Sequence, residues 1–371
     1  MNEMPNVTVC GCGSGAMAMA ADIAMMGCRV TLYELPDYKD NLEPIHENGG
    51  IFLTGKTYSG KTGLARLFKV TDVAEIAVQD SQLIMINVPA SAVDKFVEAL
   101  SPCLNKDHTI LVTTGYWASL RIRKLLEKNG NSRKTTVVEQ NIMPYLSRKI
   151  GPAQAHIYNY KKDMRISAWP ARKNNEAYRL VTSVYPQIKL SKNILENNLQ
   201  PGNPCVHAQI NIPKGEFFFE RAKEFRFYGE VSMCASKLID AFDRERMRVA
   251  AALDCETITF VEWIKQTYGY EGKNMYEMCG SVTSPHAHRW GDDAGNRRVL
   301  IEDLCYFFVP MEQLAEVVGV EVPVTRAIIE IIQIFTDYDY RANGITLRDL
   351  GMEGFDKKRI IDFVTNGEHG D

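Results

Sequence analysis

Short apolar runs alternate with helical stretches through the first half of the chain. Val7 to Cys10 is a β-type run, Gly11 to Gly15 a glycine turn, Ala16 to Met26 a helical stretch and Arg29 to Tyr33 a second β-type run. That order predicts a βαβ unit. The alternation continues with a strand at Leu83 to Val88, a helix at Ser91 to Leu100, a strand at Thr109 to Thr113, a helix at Trp117 to Lys128 and a strand at Thr135 to Glu139. Strands spaced by helices in this way predict a doubly wound parallel sheet. Shorter β-like runs (Ala155 to Tyr158, Arg165 to Ala168) and a helix near Asn174 to Ser183 extend the same domain.

LENNLQPGNP, Leu195 to Pro204, has the Asn, Pro and Gly content of a linker. After it the period becomes helical. Val231 to Leu253, Ile258 to Tyr268, Leu300 to Phe307, Met311 to Val318, Val324 to Phe335 and Lys357 to Val364 all read as helices, several bounded by Gly or Pro. The expected boundaries are 1–198 for the α/β domain and 199–371 for an all-α domain, with no internal repeat or low-complexity tract.

Composition agrees with two domains. The 371 residues are 45% hydrophobic and 24% charged, more than a single core usually holds. Net charge is -3, from 43 Lys+Arg and 46 Asp+Glu, and no run of five or six like charges occurs. Nucleic acid and membrane are therefore not expected as partners. MNEMPNVTVCGCG passes straight into the first strand, and apolar windows such as LIMINVPA fall far short of the about 20 residues that span a bilayer. A soluble protein without a signal peptide is expected. Nine cysteines without a CxxC pair suggest thiols in a reducing compartment, the cytoplasm. Cys10 and Cys12 lack a second cluster that would complete a tetrahedral site, so no metal is expected.

The glycine turn carries the first chemical signal. In Gly11-x-Gly13-x-x-Ala16 the first glycine permits a tight turn, the second lets the backbone approach a pyrophosphate, and Ala16 allows close packing of helix on strand. Ser14 and Gly15, at the end of the turn, and Ala16, the first helical residue, lead into the helix N-terminus whose free N–H groups would face the phosphates. Glu34, at the end of the second strand, is placed to accept hydrogen bonds from ribose hydroxyls. A carboxylate there repels a 2′-phosphate, so NAD is favoured over NADP, with Lys39 tempering the preference. Val88 and Pro89, before Ala90, and the segment Thr113 to Gly115 follow strand C-termini, where ligands of such sheets bind. The first domain is thus read as a Rossmann dinucleotide-binding domain.

Four features of the helical half invite a chemical reading, and each has a plain alternative. His207, in NPCVHAQINI, is either a buried structural histidine or an acid/base. Asp303, in NRRVLIEDL, lies near the start of a predicted helix, where an acid also suits the helix dipole. Arg297 and Arg298 are either a solvated pair or, through a planar guanidinium, a clamp for a carboxylate. SPHAHRWGDD, Ser284 to Asp293, combines His-x-His with acidic residues, but loop polarity explains it more simply than a metal does.

Taken together, these segments resemble the opine dehydrogenases, the octopine dehydrogenase and N-(1-carboxyethyl)norvaline dehydrogenase group. The likeness runs through nearly the whole chain: GCGSGAMAMA, the VPA after a strand, NPCVHAQINI, FRFYGEVSMCASKLIDAFDRERMRVAAALD, VEWIKQTYG, NRRVLIEDL with VP following, and ITLRDLGMEG. The glycine motif is widely shared; the later set in this order is more specific. The resemblance implies a Rossmann domain joined to an all-α domain with the active site between them. It also implies reductive condensation of an α-keto acid of the pyruvate type with the amine of an amino acid, using NAD(P)H. By position His207 matches the family's catalytic histidine, Asp303 the aspartate paired with it and Arg298 the arginine holding the keto-acid carboxylate. A homodimer is expected. Where a family member continues from the histidine into proline, this chain has Ala208-Gln209, and SPHAHRWGDD also departs from its counterpart. Both departures bear on the choice of amine.

A 2-hydroxy- or keto-acid dehydrogenase of the ketopantoate reductase type shares this architecture without an amine substrate. Such enzymes feature a lysine near the entry to the second domain, where Asn203 to Asn211 offers histidine and no lysine. A non-catalytic NAD-binding sensor is the third reading, though no basic, DNA-reading helix accompanies the fold.

Overall fold

The computed structural model describes residues 4–131, 135–218, 226–282 and 294–368. The chain forms two compact units, the first running to Asn197 and taking back the chain from Phe363, the second spanning Asn198–Asp362.

Among the described residues twelve strands of the first unit make two sheets. They are β1 (Asn6–Cys10), β2 (Arg29–Tyr33), β3 (Ile51–Gly55), β4 (Gly63–Ala65), β5 (Lys69–Thr71), β6 (Leu83–Ile86), β7 (Thr109–Val112), β8 (Thr136–Gln140), β9 (Tyr145–Gly151), β10 (Gln154–Tyr160), β11 (Arg165–Trp169) and β12 (Lys189–Leu190). The larger sheet has the order β12-β11-β8-β7-β6-β1-β2-β5. Its centre is parallel, with Val7 opposite Val30 on one side and Leu83 on the other. It is nevertheless mixed, because β11 runs antiparallel to β8. The intervening β9–β10 pair is itself antiparallel, so the chain re-enters the sheet from the opposite end. Val, Ile and Leu on β6 and β7 are covered on both faces, as expected of parallel strands. They pack with Phe96, Val97, Leu100, Ile122 and Leu126 from the flanking helices.

The second sheet, β4-β3-β10-β9, was not expected from the sequence. Its outward positions include the exposed Phe52, Leu64 and Ile150, so clean alternation of polar and apolar residues is lost. The helix Ser14–Met26 packs against both sheets, contacting β1 and β2 on one side and β3, β9 and β10 on the other. Its sequence, SGAMAMAADIAMM, is apolar nearly all round, which suits a helix buried between layers. Asp22 is its buried exception. Its carboxylate accepts hydrogen bonds from the Tyr58 N–H (2.8 Å), the Ser59 N–H (3.1 Å) and the Tyr145 hydroxyl (2.9 Å).

Two assignments are corrected. The division between the units does fall within residues 195–204, but the segment is not an open linker: Ile194–Asn198 is helical, and Glu196, Asn197, Asn198 and Gln200 are buried. Asn197 donates to the Glu139 carbonyl (3.2 Å), and Gln200 donates to that of Glu256 (2.7 Å). The chain end also departs from the expected all-α assignment. Residues from Phe363 belong to the first unit, where the Trp169 indole N–H donates to the Phe363 carbonyl (3.2 Å) and Arg123 pairs with Glu368 (2.6 Å).

Helices build the second unit, including His207–Asn211, Met233–Ala252, Phe260–Tyr268, Pro323–Thr336 and a long run from Ala294 to Val317. Ser232 and Thr259 cap two of them through N–H groups three residues on. The DRER stretch of the helix Met233–Ala252 holds the unit together with buried charge. Fully buried Arg246 donates to Asp243, to Thr257 Oγ1 and to the Leu199 and Ile258 carbonyls. Glu245 accepts from the Val324 and Thr325 N–H groups, both at 2.8 Å, and so caps the helix Pro323–Thr336 where an acid also suits the dipole.

Candidate active site

The two functional signals lie in different units, one at the glycine turn and one at His207.

At the glycine turn each sequence-predicted residue has a physical reason for its identity. Gly11 has φ +99°, its N–H donates to the Tyr33 carbonyl (2.8 Å), and a Cβ there would stand 2.7 Å from Val88 Cγ1. The half-buried Val88 and Pro89, just past β6, are thereby brought against the turn. Gly13 precedes the helix Ser14–Met26 in extended conformation, and a Cβ on it would meet nothing within 4 Å. That open side is where backbone can approach a phosphate. Ser14 accepts from the Lys149 N–H at 3.0 Å, and Ala16 is fully buried. No side chain caps the helix and no acid occupies its first turn, so its positive end is left for an anion. Glu34 accepts from the Cys12 N–H and the Leu35 N–H, both at 3.0 Å, which ties its carboxylate to the turn. Burial pushes its pKa up, partly offset by these bonds. The residues present therefore fit a dinucleotide.

Lys39 is exposed on a 3-10 turn, Pro36–Asn41. The sequence reading missed Lys149, whose charge acts on the Cys12 thiol at this turn. Burial pushes the Cys10 and Cys12 thiols well up, against metal-binding thiolate character. Among the described residues no group of three or more His, Cys, Asp or Glu side chains is placed to hold a metal ion. The His-x-His segment, Ser284 to Asp293, lies outside the described residues.

In the helical unit His207 opens its short helix and is 4% exposed. Its Nδ1 lies 2.8 Å from Asp303 Oδ2, and its Nε2 lies 2.8 Å from the Tyr228 hydroxyl. With Asp303 as acceptor, Nδ1 carries the proton and Nε2 accepts from Tyr228. The structure thus joins His207 to Asp303 and adds Tyr228, which no spacing in FRFYGEV singles out.

Asp303 does not start a helix. It ends the α-helical segment Ala294–Asp303, and the chain continues through a π-helical turn, Leu304–Phe308, into the helix Val309–Val317. The dipole explanation for Asp303 therefore fails. Pro310 accounts for the π turn: it has no N–H for the Tyr306 carbonyl and its ring would crowd that carbonyl in a regular α-helix. Such turns recur at functional positions.

Arg298 lies on the same helical segment, about half exposed, and pairs with Glu302 at 3.6 Å. It is not drawn to His207 by any contact of its own. Gln209 sits two residues from His207, on the other face of the helix, and donates to the Pro204 carbonyl at 3.1 Å. Both Ala208 and Gln209 are fully buried.

A glycine turn fit for a dinucleotide and a buried histidine–carboxylate pair in a helical unit define a class, the NAD(P)-dependent oxidoreductases. Residues 6–156 match the family described as NAD-dependent glycerol-3-phosphate dehydrogenase N-terminus. Residues 190–336 match the NAD/NADP octopine/nopaline dehydrogenase α-helical domain. The chain is 28% identical over 358 residues to an opine dehydrogenase of Arthrobacter sp. (strain 1C), covering 95% of this chain and 97% of that protein. Its fold is similar to octopine dehydrogenase solved with NADH and L-arginine, with a TM-score of 0.74, 17% identity and coverage of 96% and 98% of the two chains. It is similar too to yersinopine dehydrogenase solved with NADP+, with a TM-score of 0.71, 16% identity and full coverage of both chains. The chain thus carries an octopine/nopaline dehydrogenase α-helical domain, is similar to opine dehydrogenases over nearly its whole length, and is an NAD(P)-dependent oxidoreductase of the class acting on CH–NH bonds.

Proposed function

We propose that the chain reductively condenses a pyruvate-like α-keto acid with the amine of an amino acid. The observation that carries this reading is the buried His207–Asp303 pair, which leaves Nε2 as the nitrogen that exchanges protons. A neutral amine must attack the ketone, water must leave to give an imine, and the imine carbon must receive a hydride. Bound at the glycine turn, a reduced nicotinamide would supply that hydride. His207 takes the proton that the amino acid's ammonium group gives up to become the neutral nucleophile and returns one to the departing hydroxyl, which leaves as water, while Asp303 fixes the tautomer and stabilises the imidazolium. The Tyr228 hydroxyl, bonded to Nε2, extends the pair into a chain of three groups.

Arg298 holds the keto-acid carboxylate in this reading. Its pair with the largely buried Glu302 is long, at 3.6 Å, and its own side chain is half exposed, so the guanidinium is open to a bidentate carboxylate. Octopine dehydrogenase has been solved with pyruvate and with L-arginine, which supports a keto acid and an amino acid as the two substrates. Glu34 at the glycine turn favours NADH over NADPH. All nine cysteines are thiols rather than disulfides, in keeping with a cytoplasmic enzyme.

The test is NADH oxidation with pyruvate and related keto acids, first alone and then with a panel of amino acids, with mass spectrometry of the products. Amine-dependent oxidation yielding a secondary amine is expected. Full-rate oxidation with the keto acid alone would instead make the chain a keto-acid reductase.

A further inference from the structure

Asn87 follows β6 directly and is 8% exposed. Its backbone N–H donates to the Cys10 carbonyl at 3.3 Å, which holds the residue at the strand end beside the glycine turn. The side-chain Nδ2 is buried and finds no acceptor among the described residues. The amide lies over Gly15, so that a Cβ built on Gly15 would stand 2.8 Å from Asn87 Oδ1 and 3.0 Å from Nδ2. A buried amide donor is therefore aimed at the first turn of the helix Ser14–Met26, a turn with neither a side-chain cap nor an acid of its own.

Buried donors in folded proteins nearly always have partners, so an unmet one calls for a group that the chain itself does not supply. At this place that group is an anion. The backbone N–H groups of the turn and the helix dipole select negative charge, and Asn87 adds a side-chain donor to the same end.

We infer that Asn87 is a binding residue for the dinucleotide, donating its side-chain amide to a pyrophosphate oxygen, and that Gly15 is glycine because the Asn87 amide occupies the space its side chain would need. This rests on the NAD(P) reading of the glycine turn. It gives Gly15, an unassigned position within Gly11-x-Gly13-x-x-Ala16, a reason for its identity.

Equilibrium binding of NADH and of ADP-ribose, followed by fluorescence and calorimetry without turnover, tests it. Asn87→Asp keeps the shape but puts an acceptor charge against the pyrophosphate, and a rise in Kd of roughly a hundredfold is expected for both probes. Asn87→Ala is expected to raise both by roughly tenfold. Adenosine, which has no phosphate, should bind both variants like the parent chain. Gly15→Ala should weaken NADH binding strongly in the parent and much less in the Asn87→Ala background, since the obstructing amide is then gone. Thermal melts confirm that each variant is folded; if Asn87→Ala is not, Asn87→Asp alone decides. Unchanged NADH and ADP-ribose affinity in Asn87→Asp overturns the inference, as does an equal loss of adenosine binding. Failure of the parent chain to bind NADH would instead overturn the cofactor reading beneath it.

Discussion

Asp303 Oδ2 lies 2.8 Å from His207 Nδ1, and both side chains are almost wholly out of water. Ninety-six positions of sequence separate the two groups. Only one orientation of the imidazole satisfies both Asp303 and the Tyr228 hydroxyl, so the ring is fixed before any substrate arrives.

Replacing the ring removes the acid/base. His207→Ala is expected to cut kcat by roughly a hundredfold or more, a typical share for a positioned proton carrier. NADH affinity, set in the other unit, should be unchanged by calorimetry. Turnover equal to the parent would end the assignment of His207.

Asp303→Asn preserves size but presents an amide that is able to donate to Nδ1 and so reverse the tautomer. A loss of kcat of roughly a hundredfold or more is expected, with little change in either KM. A rise in KM without a fall in kcat would show that Asp303 binds substrate and does not orient His207.

The arginine prediction concerns one substrate only. Arg298→Ala should raise the keto-acid KM by roughly tenfold to a hundredfold, the worth of a charge-assisted carboxylate bond. The amine KM should stay within about twofold by the same reasoning, since that bond is made to the other substrate. A response confined to the amine KM would transfer Arg298 to the amino-acid side.

Glu34→Gln is expected to relax the cofactor preference. The carboxylate next to Cys12 and Leu35 becomes a neutral amide, and repulsion of a 2′-phosphate disappears. The ratio of kcat/KM for NADH to that for NADPH should fall by roughly tenfold. An unchanged ratio would place cofactor choice elsewhere, with Lys149 the first residue to examine.

His108 makes a pH prediction for stability. It is 5% exposed, its Nδ1 accepts from the Asn105 N–H (3.0 Å) and its Nε2 therefore donates to the Val78 carbonyl (3.2 Å). Burial lowers its pKa below the ordinary 6.5. As pH falls through that value the unfolded chain takes up a proton that the folded chain refuses. The contribution of His108 is thus complete above about pH 6.5 and is lost progressively below it. Urea midpoints of the parent and of His108→Gln, measured between pH 7.5 and 5.5 (roughly one unit either side of that value), should show a steeper acid decline in the parent. Parallel declines would remove the effect from His108.

Local signals carried the parallel core. Strand, turn and helix from Asn6 to Tyr33 are each specified by residues inside the segment, and so are the positions of Glu34 and of the segments at Val88 and Thr113, just past β6 and β7. Of the second sheet only β10 was legible, as the run Ala155 to Tyr158; β3, β4 and β9 were not, because exposed Phe52, Leu64 and Ile150 break the alternation that marks a half-buried strand. The buried Asn197 and Gln200 look like linker residues until their carbonyl partners, 58 and 56 positions away, are known. Asp303 was singled out through the family resemblance and lies against His207, yet its helical position was misjudged. A proline deep inside an apolar helical run reads as a start signal, whereas here a π turn carries the helix through it. Tyr228 and Asn87 were missed because a hydroxyl on a distant ring nitrogen and an unmet amide are visible only in three dimensions.

The turn Leu304–Phe308 has a consequence for length. A π turn contains one residue more than the α-helix would use for the same advance along its axis. Deleting one residue between Asp303 and Pro310 would leave the helix after the turn in phase with Asp303, now wound as a regular α-helix, and would force the Pro310 ring onto the carbonyl one turn before it. The extra residue is thus what lets one continuous helical run hold Asp303, a proline, and Phe308, whose ring stacks on Phe242 with centres 4.5 Å apart.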